Sequence, residues 1–269
     1  MSTGTGNRAA ESPADGQPVT DGNSRAWQRI RFRRRRRHLV TAAILALGVL
    51  VYLWVVPIDV RAALWLGARA NPVLLALLLF FSLMVLSLLW TVGQGVDSWV
   101  FLNVNLRGVR PRWLDWAMLG LTQLGSGYIL PPMVLLLLLA PDRGLAYEVV
   151  LGALTLWLFV ELVKAIVGRS RPSVRHTQAR IVGYKQPGRS FPSGHTSQSF
   201  FLATLFIQHY HPIAWAAVGL YLLAALVGVT RIYVGAHYPR DVLAGAALGT
   251  LWGLAGVLID AGILGKIRY

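Results

Sequence analysis

Between Ser190 and Thr196 the chain reads Ser-Phe-Pro-Ser-Gly-His-Thr and then turns apolar. A Pro-Ser-Gly-His turn at the start of a helix offers a hydroxyl, an amide unobstructed by a side chain, and an imidazole. Such an end attracts anions, because its first amides lack intrahelical partners and the helix dipole adds positive potential. Alone, the four residues read equally well as a turn and cap. Two further clusters could supply chemical partners. Lys164 lies near the end of an apolar stretch, seven residues before Arg171, with Glu161 one turn ahead of it as an alternative ion-pair partner. Downstream, Thr230 to Asp241 contains Arg231, His237 and Asp241. A helical turn separates His237 from Asp241, so the carboxylate could fix the imidazole tautomer or serve only as a structural cap.

The elements that must position these groups are membrane spans. Of 269 residues, 55% are hydrophobic and 14% charged, too apolar for an ordinary soluble domain. A net charge of +15 could serve nucleic acid, but the apolar spans redirect it to anionic lipid headgroups or phosphate-bearing substrates. There is no cysteine, which excludes disulfides, thiolate metal sites and thiol nucleophiles. Residues 1–24 have a disordered composition, and Arg33 to Arg37 stand before the first apolar segment as an anchor on anionic lipid.

Apolar segments of spanning length are expected at 39–56 (short), 72–92, 117–140, 145–167, 195–208, 213–229 and 242–264. Pro131-Pro132 should bend the third. Gly245, Gly249 and Gly253 form a small-residue stripe suited to close helix packing. Between spans lie a mixed stretch from Gly93 to Trp116, a loop from Gly168 to Phe191 and the insertion from Thr230 to Asp241. That loop carries Arg169, Arg171, Arg175, Arg180, Lys185 and Arg189 without one acid, a charge that repels itself unless something anionic visits. By parity of crossings all three stretches emerge on one membrane face. His209 and His211 fall at the opposite face, while His38 and His176 read as exposed anchor and loop residues; no histidine pair has convincing metal spacing.

Lys164, six residues, Arg171-Pro172; then Pro192-Ser193-Gly194-His195; then Arg231, five residues, His237, three residues, Asp241: in this order the sequence resembles the type 2 phosphatidic acid phosphatase family. That family is the membrane branch of a superfamily shared with vanadium haloperoxidases and bacterial acid phosphatases. The resemblance covers roughly 97–262 and departs at Thr230, where the family often has serine. It implies an all-α polytopic membrane bundle, a six-helix core with one extra N-terminal apolar segment. The expected organisation is a tail and polybasic anchor at 1–38, N-terminal membrane segments at 39–93, a catalytic membrane domain at 94–264 and a C-terminal tail at 265–269.

The resemblance also implies an activity: removal of phosphate from a lipid phosphate or diphosphate of the phosphatidate, phosphatidylglycerophosphate or polyprenyl diphosphate class. His237 would be the nucleophile, Asp241 its orienting partner, and His195 the general acid and then base. Lys164, Arg171, Ser193, Gly194 and Arg231 would hold the phosphoryl oxygens, with no metal or other cofactor and no nucleic-acid partner. The same covalent step could instead serve a phosphotransferase. A non-enzymatic anion transporter would explain the arginines but leave His195 and the His237-Asp241 pair unexplained. The expected location is a bacterial cell membrane. Seven crossings with Arg33 to Arg37 in the cytoplasm would put the Gly168 loop there too, whereas the resemblance points to an extracytoplasmic site. Both hold if 39–56 lies in the interface.

Overall fold

A computed structural model describes residues 69–267 apart from 109 and 140–142, together with 54, 58, 65 and 66; of 258–267 only the backbone is described. The polybasic run and all but two positions of the expected segment 39–56 and its flank to 60 fall outside this set. The described residues belong to one compact unit, Leu47–Tyr269.

The first described helix, α1 (Pro72–Ser87), starts where Asn71 accepts a hydrogen bond from the Leu74 amide at 3.1 Å and Pro72 occupies the first turn. The expected span 72–92 is not one helix. The chain stops at Ser87, and α2 (Thr91–Asn105) departs at 97°. Next come α3 (Arg112–Gln123), a 3-10 turn (Gly127–Ile129) and α4 (Leu130–Leu139), with a 64° bend between the arms. The bend was expected at Pro131-Pro132 but falls at 124–126. The prolines sit in the first turn of α4, where missing amides forfeit no intrahelical bond.

The helix α5 (Gly144–Val167) ends at Gly168, whose φ of 68° is left-handed and whose amide donates to the Lys164 carbonyl. A single turn, α6 (Pro172–Arg175), opens the polar loop, which an isolated bridge between Ser170 and Arg189 closes. Then follow α7 (Gly194–Tyr210), α8 (Ala214–Tyr233) and α9 (Pro239–Ile267). The expected insertion at Thr230 begins later than its composition suggested. Its first four residues complete α8, because Arg231 finds a partner inside the bundle and need not end the helix.

Among the described residues, α5 and α8 are long and apolar enough to cross a membrane, and each bent pair could count as a further span. Their outer faces carry Leu151, Leu158, Trp215 and Leu222, all exposed, as lipid-facing surfaces require. The core joins Leu145, Val149, Leu156 and Val160 of α5 to Phe201 and Leu205 of α7 and Leu248 of α9.

The most extensive helix contact is α7 with α9, through the glycine stripe. A Cβ on Gly245 would lie 2.7 Å from the Ser193 carbonyl, and one on Gly249 would overlap the Ser197 carbonyl. Close approach therefore holds α9 against the backbone of the Ser193 turn. Gly249→Ala should destabilise the chain by about 1–3 kcal/mol. Gly256→Ala, on the same helix with nothing within 4 Å of its added carbon, should be neutral or stabilise by up to about 1 kcal/mol. Thermal unfolding in detergent compares the two; equal effects would show that the stripe does not set the helix separation.

Candidate active site

The three sequence clusters converge at the ends of α5, α7, α8 and α9. His237 lies in the connection between α8 and α9, 2% exposed, and its Nε2 is 3.2 Å from the Arg171 guanidinium. Arg171 is anchored by donating to the Pro187 carbonyl at 3.1 Å and the Ala236 carbonyl at 3.0 Å. Burial first, then the charges of Arg171, Arg231 and Lys164, hold His237 well below the ordinary imidazole range. The ring is therefore neutral, and the lone pair of Nε2 accepts from Arg171.

Asp241 lies in the first turn of α9, where a carboxylate suits the helix dipole. Its Oδ2 is 3.6 Å from His237 Nδ1, in line with the expected pairing but longer than a hydrogen bond. The carboxylate is engaged elsewhere: Oδ2 accepts from the Tyr238 amide at 2.9 Å and Oδ1 from Arg169 at 2.5 Å. The Asp241 carbonyl in turn accepts from the Ser193 amide at 3.0 Å, which ties the Pro-Ser-Gly-His turn to the His237 segment.

Ser193 is fully buried, and its Oγ accepts from the Thr196 hydroxyl at 2.9 Å, so its own proton points to another acceptor. A carbon on Gly194 would lie 3.8 Å from Lys164 Nζ, so the ammonium stands beside the start of α7. Lys164 also donates to Glu161 at 2.7 Å, the alternative partner open from the sequence. Arg231 is 1% exposed and donates to the Thr122 hydroxyl of α3 at 2.6 Å; its Nε and second terminal nitrogen meet no partner among the described residues. His195, half-buried, joins Lys164 and Gly194 at the polar end of a cavity of about 580 Å3 that is otherwise mainly apolar.

Several supports went unrecognised in the sequence. Asp97 of α2, 2% exposed, accepts from Arg169 and from the Arg240 amide at 3.1 Å and Nε at 2.9 Å. The chain Asp97–Arg169–Asp241 thus runs to the carboxylate facing His237. Asp115 binds Arg180 and accepts from the Tyr233 hydroxyl at 2.7 Å, while Asn105 receives the Arg180 amide at 2.7 Å. The polar loop is therefore compensated in part, at Arg169 and Arg180. Acids from the Gly93 to Trp116 stretch, expected on the same face, neutralise Arg169 and Arg180, and Arg175 donates to Gln94. His176 is likewise not a free loop residue; it packs 6.0 Å from Phe101 and 6.1 Å from Tyr238. The signal for Asp97 and Asp115 was present: an acid in an apolar helix demands a partner, as Lys164 does.

This geometry has relatives. The PAP2 superfamily model matches residues 145–261. Over 118 residues the chain is 35% identical to the lipid A 1-phosphatase of Rhizobium johnstonii, which covers 41% of this chain and 46% of that one. The similarity thus spans about half the length of that relative. Phosphatidylglycerophosphatase B of Bacillus subtilis is 28% identical over 192 residues, 65% of this chain and 89% of that protein. The crystal structure of a transmembrane PAP2 type phosphatidylglycerolphosphate phosphatase from Bacillus subtilis superposes with a TM-score of 0.58 at 25% identity, covering 72% of this chain and 96% of that one. The matched stretch takes in the end of α5, the Ser193 turn and both flanks of His237, and on this ground residues 145–261 of this membrane protein belong to the PAP2 superfamily.

Proposed function

We propose that the chain is a phosphohydrolase that removes phosphate from a membrane lipid phosphate or diphosphate through a phosphohistidine on His237. The observation that carries this reading is a neutral imidazole with Arg171 on its Nε2, close enough to Lys164 to feel its charge, and Lys164 in turn lines the mouth of a mainly apolar cavity. A phosphoryl group needs the cations, a lipid chain needs the cavity, and only a covalent step uses the buried nitrogen.

In the first half-reaction Arg171 moves its N–H hydrogen bond from Nε2 of His237 to a phosphoryl oxygen, the freed Nε2 attacks phosphorus and the bond to the leaving oxygen breaks. His195 gives that oxygen its proton. Arg171, Arg231, Lys164, the Ser193 hydroxyl and the amides at the start of α7 hold the three equatorial oxygens as charge builds. In the second, His195 takes a proton from water, the water oxygen bonds to phosphorus and the P–N bond breaks, returning His237 to its neutral form. Asp241 faces Nδ1 and favours the proton there, which leaves Nε2 unprotonated. Similarity to lipid A and phosphatidylglycerophosphate phosphatases supports a lipid substrate and a bacterial cell membrane.

Phosphate release from phosphatidate, phosphatidylglycerophosphate and a polyprenyl diphosphate in mixed micelles tests the reading, with lipid products followed with and without an added alcohol acceptor. At least one of the three should yield free phosphate without the acceptor. Transfer to the acceptor with no release to water would make the chain a phosphotransferase, and no turnover of any of them by folded protein would overturn the proposal.

A further inference from the structure

The apolar cavity has one polar ring. Its deeper walls are Leu130, Pro131 and Val134 of α4 with Val150, Leu154 and Trp157 of α5, all hydrocarbon or aromatic. Its mouth is Lys164, Gly194 and His195. Between them, on opposing walls, stand Glu161 and Gln198. Helix geometry sets their depth. Glu161 precedes Lys164 by three residues on a helix that runs towards the site, and Gln198 follows Gly194 by four on a helix that runs away from it. At about 1.5 Å per residue both lie roughly 4–6 Å further into the membrane than the phosphate-facing groups.

Neither is fully used by the protein. Glu161 is half-exposed, and its Oε1 accepts from Lys164 at 2.7 Å. Gln198 is 8% exposed, yet its amide nitrogen meets no partner among the described residues. A buried amide at the edge of an apolar cavity is costly unless a ligand completes its bonding. The Gln198 donor suits an ester or amide carbonyl about four or five bonds beyond the phosphate ester oxygen, and the Glu161 acceptor suits a hydroxyl or amide N–H at the same depth.

We propose that Glu161 and Gln198 form a polar collar that selects lipids whose phosphate is followed by a hydrogen-bonding linkage, such as a glycerol ester or an acylated sugar. Lipids whose phosphate sits directly on a hydrocarbon chain are disfavoured. An ester or amide carbonyl accepts from Gln198, and where the lipid also carries a hydroxyl or amide N–H, as an acylated sugar does, that group donates to Glu161. A polyprenyl or alkyl chain lays CH2 groups against both, leaving the Gln198 amide unpaired and Glu161 with Lys164 alone. This inference rests on the phosphohydrolase reading and adds the substrate class to it.

The test compares kcat/KM for dioleoyl phosphatidate and oleyl phosphate, both phosphate monoesters of primary alcohols with oleic-type chains, two in the first and one in the second, in mixed micelles. The wild-type chain should prefer phosphatidate by about 10- to 100-fold. Gln198→Met keeps length and removes both polar atoms, and should shrink that preference about tenfold. Gln198→Leu is the second variant should the first unfold. Dividing one protein's preference by the other's cancels the effect of chain number on micelle partitioning. A preference that survives in a folded Gln198 variant, or a wild-type preference for oleyl phosphate, overturns the collar while leaving the phosphohydrolase standing. No release from either substrate by folded wild-type protein removes both.

Discussion

With Asn in place of His237, phosphate release should fall by about 10,000-fold or more, while the chain still inserts and unfolds near the wild-type temperature. Asn retains an N–H that can face Asp241 but has no nucleophilic ring nitrogen towards Arg171. Wild-type protein quenched during turnover should carry phosphate at residue 237 that is labile to acid and stable to alkali, and the variant should carry none. Turnover by the variant at a tenth of the wild-type rate would remove His237 from the covalent role. The pH dependence follows from the same environment. Because burial and the neighbouring cations lower the His237 pKa, the neutral nucleophile persists to lower pH than a free imidazole allows. The acid limb of kcat/KM should therefore lie below the unperturbed value of about 6.5. Two substrates whose phosphates ionise at different pH separate the enzyme's limb from the substrate's own; a common limb at or above that value would contradict the assignment.

The residues gathered around His237 were legible in the sequence for a physical reason. Each is polar and borders an apolar run, and a membrane forces such residues to the few places where helices end. Gly168 and Gly194 mark two of those ends by residue type alone. The supporting pairs were not legible, because a pair such as Asp97 with Arg169, 72 residues apart, has no local signature. Thr122, which holds Arg231, could not be told from any other hydroxyl in an apolar helix. Element ends were misplaced where tertiary contacts override composition. The chain turns at Ser87 although Leu88 and Leu89 continue the apolar run, and α8 continues through Arg231 although a buried guanidinium looks like the end of a span. The polar loop looked uncompensated because its acids arrive from the stretch before Trp116.

Asp97→Asn should destabilise the chain by about 3–5 kcal/mol, one of the largest losses expected of a residue that faces no substrate group. Two acids and two bases meet there: Asp97 and Asp241 accept from Arg169, and Arg240 donates to Asp97 and to the Ser87 carbonyl at 2.7 Å. Neutralising Asp97 leaves two buried guanidinium groups to share one carboxylate, so Arg240 loses its counter-charge and Asp241 is drawn from His237. Turnover should fall about 10- to 100-fold with KM nearly unchanged, since the groups assigned to the phosphate are untouched. Removing the surplus charge separates this from general damage. In Asp97→Asn/Arg240→Gln the remaining Arg169 and Asp241 form a balanced pair. The double variant should therefore be more stable than Asp97→Asn alone, although it carries one more substitution. Unfolding midpoints of the wild type, both single variants and the double variant close the cycle. Additive losses would show that the four groups do not act as one charge network. Recovery in the cycle with no change in kcat would show that the network holds the fold without positioning Asp241.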